Sequence, residues 1–151
     1  MSSITIRPAR PDDWPTIVEF NCRLAEETEG TTLQREQIEP GVKAVLADAA
    51  KGRYFVACDG EVVVGQLMHT REWSDWRNGD IWWLQSVYVL PDYRRQSVFR
   101  GLYERLAAEA ERRPDVVGLR LYVEADNDRA HTTYRRMGMD AAGYFVMQRL
   151  F

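Results

Sequence analysis

The rhythm of apolar and polar positions changes several times along the chain, and each change marks an element. Residues 4–8, "ITIRP", alternate and are rich in β-branched side chains, which predicts a short first strand. From Arg10 the spacing turns helical. Trp14, Ile17, Val18, Cys22 and Ala25 recur on one face, with Asp12 or Asp13 as N-cap, Pro15 in the first turn and Gly30 at the close. Residues 33–52 have helical character on both sides of Pro40-Gly41, so two short helices are expected. The second would present Val42, Val45, Leu46 and Ala49 on one face.

Residues 53–70, "RYFVACDGEVVVGQLMHT", give the clearest hairpin signal, two β-rich runs joined by Asp59-Gly60. Residues 71–79 read as a loop or turn punctuated by Asn78-Gly79, and 80–90 as a long strand stopped at Pro91. From Val98 the pattern is helical again, with Phe99, Leu102, Tyr103, Leu106 and Ala110 on one face and Pro114 as the stop. Residues 116–125 alternate, with Leu119, Leu121 and Val123 on one side. Residues 126–138 form a short helix capped by Asp126, Asn127 or Asp128 and ended by Gly138. Residues 143–151 finish as a strand. The order β-α-α-β-β-β-α-β-α-β, without repeat, low-complexity tract or linker, predicts one mixed α/β domain over residues 1–151.

Composition narrows this picture only a little. The 151 residues suit a single domain that buries roughly two-thirds of its unfolded surface. With 45% hydrophobic and 28% charged residues, a soluble globular protein is expected. The net charge of -3 gives no global field toward nucleic acid or an anionic membrane. No apolar run approaches the roughly 18 residues of a membrane span, and the N-terminus lacks the apolar core of a signal peptide. Cys22 and Cys58 lie in apolar segments, which fits a reducing cytoplasm, and no metal-binding spacing accompanies His69 or His131.

Local charge is more informative than the sum. Acidic residues gather at Glu26, Glu27 and Glu29, and arginines at Arg94, Arg95 and Arg100. The arginines lie in "VLPDYRRQSVFRGLYERL", where a strand ends at Val89-Leu90 and a helix begins near Ser97 or Val98. Backbone N–H groups at a helix start have no internal partner and favour an anion. A diphosphate would find fixed dipoles and mobile cations there; a solvated basic turn has the same composition.

The flanking sequence resembles the GNAT family of N-acetyltransferases at several points. The stretch "VYVLPDYRRQSVFRGLYERL" matches the family's strand, "YR" and Q/R-x-x-G-x-G/A loop, with Arg94, Arg95, Gln96, Ser97, Val98 and Phe99 on the six motif positions. A second signature of V, N, A, Y and G falls on Val123, Asn127, Ala130, Tyr134 and Gly138. The hairpin "FVACDGEVVVGQL", with Gly65, is similar to the family's second and third strands. The resemblance spans the chain in the right order. It implies a single mixed, mostly antiparallel twisted sheet with helices on both faces, splayed between strands four and five. It further implies that acetyl-CoA lies in that splay. The pantetheine arm would pair with backbone near Val87, Tyr88 and Val89, the pyrophosphate would meet amides from Arg95 to Arg100, and Asn127, Ala130 and Tyr134 would border the cofactor. Ser97 and Phe99 depart from the motif's small residues. Serine is small enough for the turn, and the helical pattern puts Phe99 on the core face.

The chemistry follows from the reaction such proteins perform, direct acetyl transfer from thioester to amine. An alkylamine, with pKa around 10.4, must lose its proton before it attacks. The carbonyl oxygen gains charge that backbone N–H groups near Val89 would stabilise. Tyr134 matches the family's tyrosine beside the sulfur and would donate to the departing thiolate. Some family members carry glutamate in the fourth strand where this chain has Gln85, which can orient a water but not serve as base. Glu124, or Glu72 or Asp75, would act through such a water. Glu26 and Glu27, with the aromatic faces of Trp73 and Trp76, suit a cationic acceptor. A small amine is therefore expected, with a protein N-terminus or lysine as the alternative acceptor. A CoA-binding regulatory module or pseudo-enzyme and a non-catalytic interaction protein are the rival classes. Dimers are common among such proteins, so a homodimer is carried as an expectation.

Overall fold

The computed structural model describes residues 3–151 and contains two compact units, the second beginning at Tyr122. The first unit is built on β1 (Ile4–Pro8), β2 (Arg53–Asp59), β3 (Val62–Ser74), β4 (Gly79–Val89) and β5 (Val116–Leu121), which form one sheet in that order. Neighbours from β1 to β4 are antiparallel, and β4 and β5 are parallel. A parallel pair needs a long crossover, here supplied by helix α3 (Val98–Glu111). The mixed, mostly antiparallel sheet expected from the resemblance is thus present.

Helices α1 (Trp14–Glu29) and α2 (Arg35–Ala47) cover one face and α3 the other. Successive strand residues point to opposite faces. Accordingly Gln66 bonds Asn21 of α1, while its neighbour Gly65 faces Val98 of α3. A Cβ on Gly65 would lie 3.1 Å from Val98 Cγ1 and 3.3 Å from the Tyr88 carbonyl oxygen, so the glycine lets the start of α3 settle close on β3. Under α1 and α2 the core is Ile17, Val18, Val42 and Tyr54, with Trp14, Ile38, Val45 and Leu46 packed against them. Leu102 and Leu106 of α3 are fully buried, and truncating either to alanine should cost about 2–5 kcal/mol.

The α3 side also buries a polar cluster. His69 lies tilted against Trp82 with ring centroids 4.3 Å apart and accepts from Arg53 Nε at 3.1 Å, and Arg53 reaches Glu109 of α3 at 2.6 Å. Burial, then the charge on Arg53, lowers the His69 pKa to about 4, so the imidazole is neutral near pH 7.

Several expectations need correction. Residues 35–47 form one helix, not two, with Pro40 inside it. The missing N–H forfeits one ladder bond early in the helix, and burial of Ile38, Val42, Val45 and Leu46 on a common core holds the turns together. Glu72 and Trp73 are not in a loop: β3 runs on to Ser74, leaving only residues 75–78 to turn back. β5 ends at Leu121 instead of Ala125.

The second unit holds helix α4 (Asp128–Arg136), started by Asn127 and followed by Gly138 with φ +91°. No strand forms over residues 143–151. Tyr144, Phe145, Met147, Leu150 and Phe151 are exposed there. Apolar β-formers make a strand only beside another strand that completes their ladder, and no strand pairs with this segment among the described residues.

Candidate active site

The site begins where β4 leaves β5. The two strands pair from Asp80–Val116 to Leu84–Leu121, and β4 then runs on to Val89 with no β5 partner among the described residues. Just beyond the last pair, β4 carries a β-bulge against β3. Gln66 pairs with Tyr88 and Met68 with Gln85, so Ser86 and Val87 together oppose Leu67, and Ser86 takes φ +50°. Serine has no strong preference for that conformation, so side chains must hold it. The fully buried Gln66 donates to the Ser86 carbonyl oxygen at 2.9 Å and to Asn21 Oδ1 at 3.2 Å. Asn21 in turn donates to the Tyr54 hydroxyl at 3.1 Å. Sequence reading missed this network; a glutamine and an asparagine inside apolar runs were its only trace.

Beyond Val89 the chain turns through residues 90–97 into α3. Tyr93 donates to Asp59 at 2.7 Å, and Gln96 Nε2 to the Asp92 carbonyl oxygen at 2.7 Å, so the loop is tied to the hairpin and to itself. Arg95 has φ +61° and Ser97 φ +65°, both left-handed, on either side of Gln96. Such alternation aims successive N–H groups to one side and forms a concavity suited to an anion. Ser97 is also the residue that opens α3, and its side chain makes no capping hydrogen bond. A helix start carries N–H groups with no intrahelical partner, which suits it to an anion. Serine here adopts the backbone that glycine would adopt more cheaply.

Val98 takes the buried first-turn position, while Phe99 is half-buried with its ring 6.2 Å from Tyr103. Phe99 thus lies beside Tyr103 as expected but is only partly covered there, and the buried place belongs to Val98. Arg95 and Arg100 are exposed around the loop, Arg100 with an i,i+4 pair to Glu104 at 2.9 Å. A diphosphate fits this combination: inward amides, a helix dipole and adjacent guanidinium groups.

Arg94 is engaged differently. Its Nε donates to the Val89 carbonyl oxygen at 2.9 Å and its Nη2 to Glu27 Oε1 at 2.8 Å, and the guanidinium lies 5.3 Å from the Tyr88 ring centroid. The Tyr88 hydroxyl donates to Glu27 Oε2 at 2.5 Å. The hydrogen bond from Tyr88, then that from Arg94, holds Glu27 below the usual carboxylate range.

The other candidates separate in space. Gln85, at the bulge, donates from Nε2 to Thr70 Oγ1 at 2.6 Å. Glu72 accepts from Trp83 Nε1 at 3.0 Å and from Arg120 at 3.2 Å, so both its oxygens are used. Trp73 pairs opposite Asp80 and Trp76 sits in the following turn, both exposed. That end of the hairpin is about 17 Å along β4 from Gln85. The structure brings Glu27, Tyr88 and Arg94 together and leaves Trp73 and Trp76 at the far end. Glu26 is exposed on the last turns of α1.

Within the second unit, Asn127 Oδ1 accepts from the Ala130 amide at 3.1 Å, and the Glu124 carbonyl oxygen lies 3.0 Å from His131 Nε2. Tyr134 is half-buried on α4, and burial raises its phenol above its ordinary pKa, so at neutral pH it is protonated and able to donate.

Comparison with known proteins agrees with this geometry. The model of a family described as "Acetyltransferase (GNAT) family" matches residues 14–139. A possible acetyltransferase from Clostridium difficile 630 is 44% identical, with 98% of this chain and 97% of that one aligned at a TM-score of 0.91. A thialysine N-epsilon-acetyltransferase of Bos taurus is 27% identical over 150 residues, 91% of this chain and 85% of that protein. A ribosomal-protein-alanine N-acetyltransferase from Brucella melitensis biovar Abortus 2308 aligns over 99% of this chain and 100% of its own at a TM-score of 0.77, and at 16% identity it shares the fold alone.

Proposed function

The chain belongs to the GNAT family of acetyltransferases, and on that premise we propose that it moves an acetyl group from acetyl-CoA to a primary amine of a small cationic molecule, by direct attack in a ternary complex. The observation that carries the reading is the fork at Ser86 followed by the left-handed turns at Arg95 and Ser97. The first frees a strand edge, and the second prepares amides for a pyrophosphate a few residues later. The family match crosses from Leu121 to Tyr122, which supports reading both units as parts of one acetyltransferase domain.

Acetyl-CoA supplies an activated thioester carbonyl. The chain's part is to bind, orient and manage protons. Val87, Tyr88 and Val89 offer the unpaired edge of β4 to the pantetheine arm in the manner of an added strand. Gln96, Ser97, Val98 and Phe99 supply amides at the start of α3, with Arg95 and Arg100 as cations. The Val89 amide would meet the charge that grows on the carbonyl oxygen. Gln85 holds a water near the acceptor amine, and Glu124 receives its proton through that relay. Tyr134 donates to the leaving thiolate, with Asn127 and Ala130 ordering the turn that carries it. The small cationic acceptor is supported by the thialysine-acetylating relative and by the exposed Glu26 carboxylate at the end of α1.

A thiol-release assay with acetyl-CoA against polyamines, amino acids including thialysine, aminoglycosides and peptides tests the reading. Release with a small cationic amine is expected; CoA binding without turnover on any amine would contradict it. Tyr134→Phe should lower turnover by about 100-fold or more while leaving CoA affinity within about twofold. Unchanged turnover would remove Tyr134 from the acid role.

A further inference from the structure

Glu27, Tyr88 and Arg94 come from three separate stretches: the last turn of α1, the end of β4 and the loop before α3. Their contacts form a closed set. One carboxylate oxygen of Glu27 takes Arg94 Nη2 at 2.8 Å, and the other takes the Tyr88 hydroxyl at 2.5 Å. Arg94 Nε closes the set on the Val89 carbonyl oxygen at 2.9 Å, one residue beyond Tyr88. The guanidinium of Arg94 is thus held at two points, and each carboxylate oxygen of Glu27 already accepts one hydrogen bond.

We infer that Glu27 is a positioning residue for cofactor binding, one that sets the pyrophosphate loop through Arg94. Arg94 immediately precedes Arg95, the first left-handed residue of the loop. Anchoring its side chain at two points therefore fixes where the alternating turn begins and which way its amides face. An amine arriving at Glu27 would share the carboxylate with a guanidinium already bonded there and would gain less net attraction. The acceptor's cation is better served by carboxylates outside this set, and Glu26 is the adjacent one. The inference rests on the acetyl-CoA reading, because the loop needs its shape only if a pyrophosphate sits in it.

The bridge is about two-fifths exposed at each charged partner, so its direct contribution to folding is small and the effect belongs in ligand binding. Calorimetric titration with CoA and with pantetheine, which lacks the pyrophosphate, provides the test. Glu27→Gln keeps the Tyr88 contact but loses the charge that holds Arg94. It should weaken CoA binding about fivefold and leave pantetheine binding unchanged, with the melting temperature within a few degrees of the parent. Tyr88→Phe removes one anchor and should weaken CoA about twofold. Arg94→Gln should weaken CoA at least as much as Glu27→Gln, and the double variant should be no worse than Arg94→Gln alone, because the two residues act as one unit. Equal CoA affinity in the parent and Glu27→Gln, or additive losses in the double variant, would overturn the positioning role. Absence of saturable CoA binding to the unaltered protein would instead overturn the acetyl-CoA reading, and the inference with it.

Discussion

Helices α3 and α4 begin in opposite ways. α4 opens at Asn127, whose side-chain oxygen accepts from the Ala130 amide at 3.1 Å, so one orphan donor is met from within. α3 opens at Ser97, an equally competent capping residue by type, held left-handed at φ +65° with no side-chain cap. An N-cap residue normally has an extended backbone that lets its oxygen turn back over the first amides, and Ser97 lacks that geometry. Leaving the cap unmade costs a helix about 1 kcal/mol. On the proposed reading, the unmade cap and the helix dipole favour an anion from outside. The two starts thus separate a helix capped by its own first residue from one whose first residue leaves that cap unmade.

Acid should separate the helices' supports most strongly. α3 is seated on the sheet beside His69 through Glu109 and Arg53, whereas the amide side chain that caps α4 does not titrate. Burial first, then Arg53, holds His69 at about 4 in the folded chain, against about 6.5 when unfolded. As pH falls the unfolded chain takes up the proton first, so stability is lost between those two values and not further below them. The loss can reach about 3 kcal/mol at 1.36 kcal/mol per pH unit. Urea unfolding at pH 7 and pH 4.5 should show it in the parent and much less in His69→Gln; equal slopes in both would exclude His69 as the source.

Ser97→Val places a β-branched side chain at positive φ, and should cost about 2 kcal/mol of stability together with a clear loss of CoA affinity. Retention of CoA affinity would mean that the left-handed turn is not what the ligand uses. Asn127→Ala should cost about 1 kcal/mol, read as faster hydrogen exchange in α4, with Asn127→Asp restoring protection. The smallest effect is expected from Ser97→Gly, a gain of about 0.5 kcal/mol with CoA binding as tight or tighter. Weaker binding in that variant would assign a direct role to the serine hydroxyl.

Features carried by local pattern were legible in the sequence. The Asp59-Gly60 hairpin, the strand ending at Val89 and the helix beginning at Val98 all follow from periodicity and turn residues. Contacts between distant residues were less so. Nothing near Glu27 announces that it meets Arg94 and Tyr88, because the three come from separate stretches of chain. The bulge at Ser86 depends on Gln66 and Asn21, polar residues that periodicity assigns no role. Pro40 misled because its local cost is set against a tertiary gain, the packing of Ile38, Val42 and Leu46. The final segment misled in the opposite sense, since propensity without a neighbouring strand makes no sheet.

The central claim is that the amides opening α3 receive the pyrophosphate of acetyl-CoA. Backbone 15N–1H spectra of the labelled protein, followed as CoA is added, test it residue by residue. Saturable downfield proton shifts at Gln96, Ser97 and Val98, absent when pantetheine replaces CoA, are the expected result. CoA binding that leaves those three amides unmoved would contradict the account.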